Sequence, residues 1–441
     1  MSAPINLRRR HILAGFASGA ALLAGRPLGA ATKPTPKPVV VMTAYPDEVV
    51  SRFEAAFEKA HPEYRLQIVW RMPHDALPYL RQANQGGVDV FWSASPRTYS
   101  TLAKEGAFRP LAINSAGLPD HIGNAPLVDT AGLYHATEMA GFGFAVNPVA
   151  LAQRNLPVPG TWRDLADSRY QGLIALPVPS KVGFAPPLLE IVLQAYGWDA
   201  GWALWSEIVG NASLIERGST FVSDEVGSGR RPIGLSIDFF VASAIANGAP
   251  LKFIYPDRSG INPAHIAITK SAPNAAGAQA FTEFVLSTAG QKILTHPDIR
   301  KLPVRPSAYE GLAKDYFNPF AAAEKGVFDY DSIAAQGRLG LTTALFDQML
   351  ITDHAGLITL WQRIHKAEAE GKTQLAVAAR TLLTKPPVTE TEAALESLRK
   401  PFGERLEGSV VEGRTTLEAS WQAYALARRR EVEQVLKAGG A

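Results

Sequence analysis

VVVMTAYPDEVVSRFEAAFEKAHPEYRLQIVWR, residues 39–71, decides the architecture. VVVMTAY (39–45) is an apolar run rich in β-branched residues, the pattern of a buried strand. Pro46 and two acids then open a helix in which Val49, Val50, Phe53, Phe57 and Ala60 recur at helical spacing. YRLQIVWRM (64–72) reads as a second strand. The pattern repeats at once. DALPYLRQANQGG reads as a helix stopped by Gly86-Gly87, VDVFWSAS (88–95) as a third strand, and RTYSTLAKEGAF as a third helix. Strands and helices alternating at this spacing predict βαβ units and a mostly parallel sheet.

Further on, GFGFAVNP (141–148) is an apolar strand closed by Asn-Pro, and TWRDLADSRYQG (161–172) reads as a helix with a turn. LIALPVPS (173–180) is a strand, and PPLLEIVLQAYGWDAGWALWSEIVGN gives two helices. RRPIGLSIDFF (230–240) is a strand, which places Phe239 and Phe240 on opposite faces: one serves the core and the other faces elsewhere. VASAIANGAP is a short helix, LKFIYP (251–256) and AHIAIT (264–269) are strands, and NAAGAQAFTEFVLSTAGQKIL (274–294) is one long amphipathic helix. From about residue 310 the chain is rich in Ala, Leu, Glu, Lys and Arg and predicts packed helices, with a break at Lys385-Pro386-Pro387.

The chain has 441 residues, 46% hydrophobic and 19% charged, enough for two or three cores. A net charge of +3, from 44 basic and 41 acidic residues, implies no polybasic nucleic-acid surface. With no cysteine, disulfides, thiolate metal sites and cysteine nucleophiles are excluded. Residues 1–31 read as a secretory signal: NLRRRHIL, the short apolar run GFASGAALLAG, and a small-residue end at Leu28–Ala31. Arg9-Arg10 resembles a twin-arginine signal, although Arg8 stands where Ser or Thr is common; ordinary Sec export is the alternative. The apolar run is short for a membrane span, and no cysteine follows it to carry a lipid. Residues 32–37 read as a Pro-rich leader, and a mature chain starting near Ala31 or Thr32 is expected free in the periplasm.

The ordered set of segments resembles the extracellular solute-binding proteins of ABC importers, in particular the ferric-iron, phosphonate, sugar-phosphate and phosphoglycerate binders. The resemblance rests on 39–71, GGVDVFWSASPRTYSTLAKEGAF, GFGFAVNP, RRPIGLSIDFFVASAIANGAPLKFIYP and AFTEFVLSTAGQKIL, and covers roughly residues 38–310. It implies an α/β, two-lobed type II periplasmic-binding fold with a hinge and a central cleft, followed by a C-terminal helical extension. Lobe one is expected at 38–143 and 265–305, lobe two at 146–262, the first hinge crossing at GFAVNP, and the extension at 310–441. The extension is read either as a brace for lobe two or as a surface for a partner.

The resemblance also implies ligand groups on the loops after particular strands. These are Thr43 and Tyr45, Ser93 and Ser95 with Arg97, Ser180 and Lys181, Ser219 and Thr220, and Asp238, Phe239 and Phe240; Arg217 is a further cation. Hydroxyls and free N–H groups at helix starts suit an oxyanion. Each Ser or Thr has an ordinary alternative as an N-cap, and Tyr45 as a cleft wall. Ferric binders of this group commonly carry a Tyr-Tyr pair where this chain has Phe239-Phe240, and a phenyl ring offers no donor to a hard cation. The histidines are scattered, so no metal and no cofactor is expected. The aromatic pair suits the wall of an organic ligand, with Trp92 and Phe142 as additions and Phe91 read as core. No GxSxG, HExxH, Walker or complete GxGxxG pattern is present; GFGF lacks the third glycine and starts no helix. The expected protein is not an enzyme. It is a monomeric component of an ABC importer that captures a small organic anion, a phosphonate or organophosphate first, for a membrane permease, with no nucleic acid involved. The alternatives are ferric iron, a carboxylate or ring-bearing cofactor as ligand, and a sensor that reports ligand to a kinase.

Overall fold

The computed structural model describes residues 35–440 apart from Ser219, Asp315 and 404–412. The signal assigned to 1–31 and the first half of the leader assigned to 32–37 lie outside the described residues. Strand β1 (Lys37–Thr43) begins inside the expected leader, since Lys37 already pairs with Tyr64. Helix α1 (Asp47–Ala60) follows, with Asp47 and Glu48 against its positive end and Val49, Val50, Phe53 and Phe57 buried. Then come β2 (Tyr64–Trp70), α2 (Pro73–Leu80), β3 (Val90–Ser93) and α3 (Pro96–Lys104). β2, β1 and β3 lie parallel, with Thr43 opposite both Trp70 and Trp92.

The twelve-residue strand β4 (His135–Val146) is buried along its whole length. Lobe two adds β5 (Ile174–Pro177), α4 (Ala185–Tyr196), α5 (Trp198–Asn211), β6 (Ala212–Ile215) and α6 (Thr220–Gly227). It continues with β7 (Ile233–Ile237), α7 (Asp238–Ala246) and β8 (Lys252–Ile254). The chain returns to lobe one through β9 (Ile261–Thr269), α8 (Ala275–Leu286), α9 (Thr288–Leu294) and β10 (Leu302–Pro303). The sheet runs β2-β1-β3-β9-β4-β7-β5-β6. β4 serves both lobes: up to Gly141 it pairs with β9, and from Phe142 with β7. GFGF earns its glycines here. A Cβ on Gly141 would stand 2.5 Å from the Tyr255 ring, and one on Gly143 would collide with the Ile254 carbonyl of β8.

The two lobes have separate cores. Phe53, Phe57, Trp92, Phe281 and Phe284 centre lobe one; Phe144, Trp162, Trp202 and Trp205 centre lobe two. The extension divides between them. Phe317, Phe320 and Phe328 pack on lobe one, and from Tyr330 the chain joins the core of lobe two. Helices α10 (Leu339–Phe346), α11 (His354–Ala369), α12 (Thr373–Thr384) and α13 (Arg414–Ala438) follow. Phe346, Trp361 and Trp421 are buried in one cluster with Trp198, Trp202 and Trp205. The Trp198 indole donates to the Val388 carbonyl, and His354 bonds the Val209 carbonyl.

Three sequence expectations need correction. TWRDLADSRYQG forms two 3₁₀ turns, Arg163–Ala166 and Ser168–Tyr170, because the extended Asp167 turns its carboxylate onto the Arg169 N–H. The helix over 274–294 is two helices: Ser287 adopts extended backbone and its hydroxyl accepts from the Gly290 N–H. RRPIGLSIDFF stops being a strand at Ile237, so Phe239 and Phe240 sit in the first turn of α7 rather than on opposite faces of a strand. Among the described residues, no helix is long and apolar enough to cross a membrane.

Candidate functional site

β1, β3 and β7 end where α1, α3 and α7 begin, the strand-end edge at which open α/β sheets bind ligands. β1 ends at Thr43, whose buried hydroxyl accepts the Tyr45 N–H and is thereby occupied within its own turn. Tyr45 is buried against Trp92, with ring centroids 4.7 Å apart and the planes nearly perpendicular. Its hydroxyl makes no hydrogen bond, and burial and the neighbouring Glu138 push its pKa well above the ordinary value. β3 ends at Ser93. Its N–H donates to the Tyr99 hydroxyl, while its own buried hydroxyl is without a hydrogen-bond partner. Ser95 precedes α3 but bonds the Thr98 hydroxyl at 2.7 Å and does not cap the backbone. Arg97 is exposed in the first turn of α3. α1 likewise begins without a side-chain cap.

Lobe two brings the first turn of α7 to the same place. The Asp238 carboxylate is buried and accepts from the Gly141 N–H and the Tyr255 hydroxyl, both at 2.8 Å. Desolvation raises its pKa to about 6 despite these bonds and the nearby Lys301. The half-buried Phe239 and Phe240 rings lie 4.2 Å apart, and Phe240 leans on Phe184 of the loop after β5.

Lys301, just before β10, ties these groups together. Its ammonium lies 4.1 Å from the centroid of the Tyr45 ring and 5.4 Å from that of Phe239, so it touches an aromatic of each lobe. It pairs at 2.9 Å with Glu138, a carboxylate inside β4 with 1% of its side chain exposed, which also accepts from the Thr137 hydroxyl. Sequence reasoning missed both residues. The available signal was Glu138 itself, an acid within an apolar strand that has to find a partner.

Other expected residues lie apart from this group. Ser180 and Lys181 are exposed, and the Ser180 hydroxyl and the charge of Lys181 act on Asp347 of the extension, opposing the rise that burial causes there. Ser219 lies outside the described residues, as does the side chain of Thr220, and Arg217 is exposed. Phe91, Trp92 and Phe142 are fully buried, so none of them walls the cleft. Tyr255, Tyr309 and Tyr316 surround Asp238, but their hydroxyls donate to Asp238, the Pro303 carbonyl and the Lys301 carbonyl. Desolvation raises the pKa of all three, which disfavours phenolates. Among the described residues, no three His, Asp or Glu side chains gather as a metal site.

Comparison with known proteins agrees with this architecture. The family described as bacterial extracellular solute-binding protein matches residues 87–320, more than half of the chain. The phosphoglycerate transport regulatory protein PgtC of Salmonella typhimurium is 33% identical over 270 residues, 60% of this chain and 66% of that protein, just under two thirds of its length. Among solved structures, the periplasmic binding protein AfuA from Actinobacillus pleuropneumoniae with fructose-6-phosphate bound aligns with a TM-score of 0.52 at 18% identity. That alignment covers 68% of this chain and 97% of AfuA. Iron-bound HitA from Pseudomonas aeruginosa aligns with a TM-score of 0.55 at 16% identity, over 70% of this chain and 99% of HitA. At these identities the structural matches establish the fold. The family match ends before α10, so most of the extension lies beyond it.

Proposed function

Because the chain belongs to the bacterial extracellular solute-binding protein family, we propose that its interlobe cleft captures a small organic anion, a phosphonate or organophosphate first, and delivers it to an ABC permease. The observation that carries the ligand class is the chemistry meeting at the cleft. α1 and α3 begin at the strand ends without side-chain caps, α3 carries Arg97 in its first turn, and Phe239 and Phe240 offer an apolar wall. Helix starts suit an oxyanion and the ring pair suits a carbon skeleton. The chemistry argues against ferric iron: the side chains at 239 and 240 have no oxygen, and the tyrosines around Asp238 hold their protons and spend them on hydrogen bonds. Capture and delivery require no covalent step.

A regulatory reading has one specific support, the word "regulatory" in the name of the Salmonella relative. In that reading the closed, liganded lobes are read by a sensor partner, and the extension supplies the added surface.

A thermal-shift screen tests the ligand class. Organophosphates, phosphonates, carboxylates, ring-bearing cofactors and Fe³⁺ are added to the purified protein. A bound ligand at about a hundred times its Kd adds about 2.7 kcal/mol to the stability of the folded state. Stabilisation by a phosphorylated or phosphonate compound is expected. Stabilisation by Fe³⁺ alone contradicts the proposal.

A further inference from the structure

A second pocket, of about 330 Å³, opens where lobe two meets the extension, between α5 and helices α11 and α12. It shares no residue with the cleft group around Lys301. The volume is at the lower end of small-molecule sites, about 300–1,000 Å³. Its floor is one face of α5, where Ala200, Ala203 and Leu204 leave a shallow apolar bed. Each end carries a guanidinium on an aromatic ring: Arg163 stands 4.9 Å from the centroid of Tyr196, and Arg380 stands 4.8 Å from that of Trp361.

The two cations are not equivalent. Arg380 is held by Glu207 and Glu368, each at 2.7 Å, and Glu207 is further bonded by His365 at 2.9 Å. Its charge is spent within the protein. Arg163 forms no ion pair with any described residue, and its partner Tyr196 has a buried hydroxyl that makes no hydrogen bond. Burial and Asp257 raise the Tyr196 pKa while Arg163 and Arg258 lower it, so two cations and one anion act at this end. The pocket therefore offers an apolar bed with, at one end, a planar cation that lies on an aromatic ring and is in no ion pair with any described residue. A carboxylate matches that fork geometry, and a ring matches the bed.

We propose that this pocket is a second ligand site, one that takes a small organic carboxylate with a flat apolar body and joins lobe two to the extension. An occupant touches α5 and α12 together, so binding holds the extension against the lobe. The site is independent of what the cleft carries.

Benzoate and indole-3-acetate are the probes, titrated calorimetrically into the full-length protein, with benzyl alcohol as the uncharged comparison. Wild type is expected to bind at least one acid with a Kd below about 1 mM and to bind benzyl alcohol at least about tenfold more weakly. Arg163→Ala, at an exposed position, is expected to weaken acid binding by about tenfold or more without changing the circular dichroism spectrum. Ala203→Leu fills the bed and is expected to abolish it. The proposal fails if neither acid binds at about 10 mM. It also fails if both variants bind as wild type does, because the acid then sits elsewhere.

Discussion

Replacing Lys301 by Met removes one charge from a pair that the fold has taken out of water. The methionine keeps the aliphatic stem between Tyr45 and Phe239 but leaves Glu138 without its cation. Only 11% of the lysine side chain and 1% of the glutamate side chain are exposed. Removing one member of such a buried pair costs about 3–5 kcal/mol, since the partner's desolvation is no longer offset. For a lobe of about 150 residues that is a fall of about 6–20 °C in Tm. The double variant Lys301→Met with Glu138→Gln removes both charges and is expected within about 1–2 kcal/mol of wild type, because a neutral pair of similar volume needs no compensation. Scanning calorimetry and urea denaturation measure the cycle. A loss below about 1 kcal/mol in the single variant would refute the reasoning, as would a double variant no better than the single one.

The remaining predictions address the hinge and the extension. The pKa of Asp238 is raised in the folded state to about 6, above its unfolded value of about 3.9, so the stability it contributes is complete below about pH 4 and is lost as pH rises through about 6. Asp238→Asn keeps a carbonyl for the Gly141 and Tyr255 donors, and its Tm should gain on wild type by the equivalent of about 2–3 kcal/mol between pH 4 and 7; parallel pH curves would sink this account. Gly143→Ala drives a Cβ into the Ile254 carbonyl and should lower Tm by several degrees, about 2 kcal/mol or more, through loss of the β4–β8 pairing; an unchanged Tm contradicts the close approach. Gly210→Ala collides with the Trp361 ring and should expose the extension to limited proteolysis ahead of the lobes; cleavage indistinguishable from wild type would count against docking of α11 on α5.

Apolar runs alternating with helical apolar spacing revealed tandem α/β units, and the resemblance implied that they form two lobes. What it concealed were breaks made by single polar residues. Ser287 interrupts an otherwise continuous amphipathic stripe with one hydroxyl, and Asp167 breaks a helix by bonding its own backbone. Phe239 and Phe240 extend an apolar run past the true end of the strand, so periodicity could not find the turn into α7 at Asp238. In the group around Lys301, Tyr45, Asp238 and Phe239 were legible from the sequence as residues at or just after strand ends. Lys301 was not, since nothing local to a lysine in a loop shows that it will meet Glu138 at a separation of 163 residues. The extension was readable as helices but its location was not, although Trp198, Trp202 and Trp205 on one face of α5 present more aromatic surface than one lobe needs.

The central claim is that the cleft takes an organic anion and not a metal. Calorimetric titration of the purified protein with phosphoglycerate, fructose-6-phosphate, a simple alkylphosphonate and ferric citrate tests it most directly, with Phe239→Ala in parallel. The account predicts saturable one-to-one binding of at least one phosphorylated or phosphonate compound, weakened by about tenfold or more in Phe239→Ala, and no ferric binding. Saturable ferric binding, with none of the organic anions bound, would contradict it.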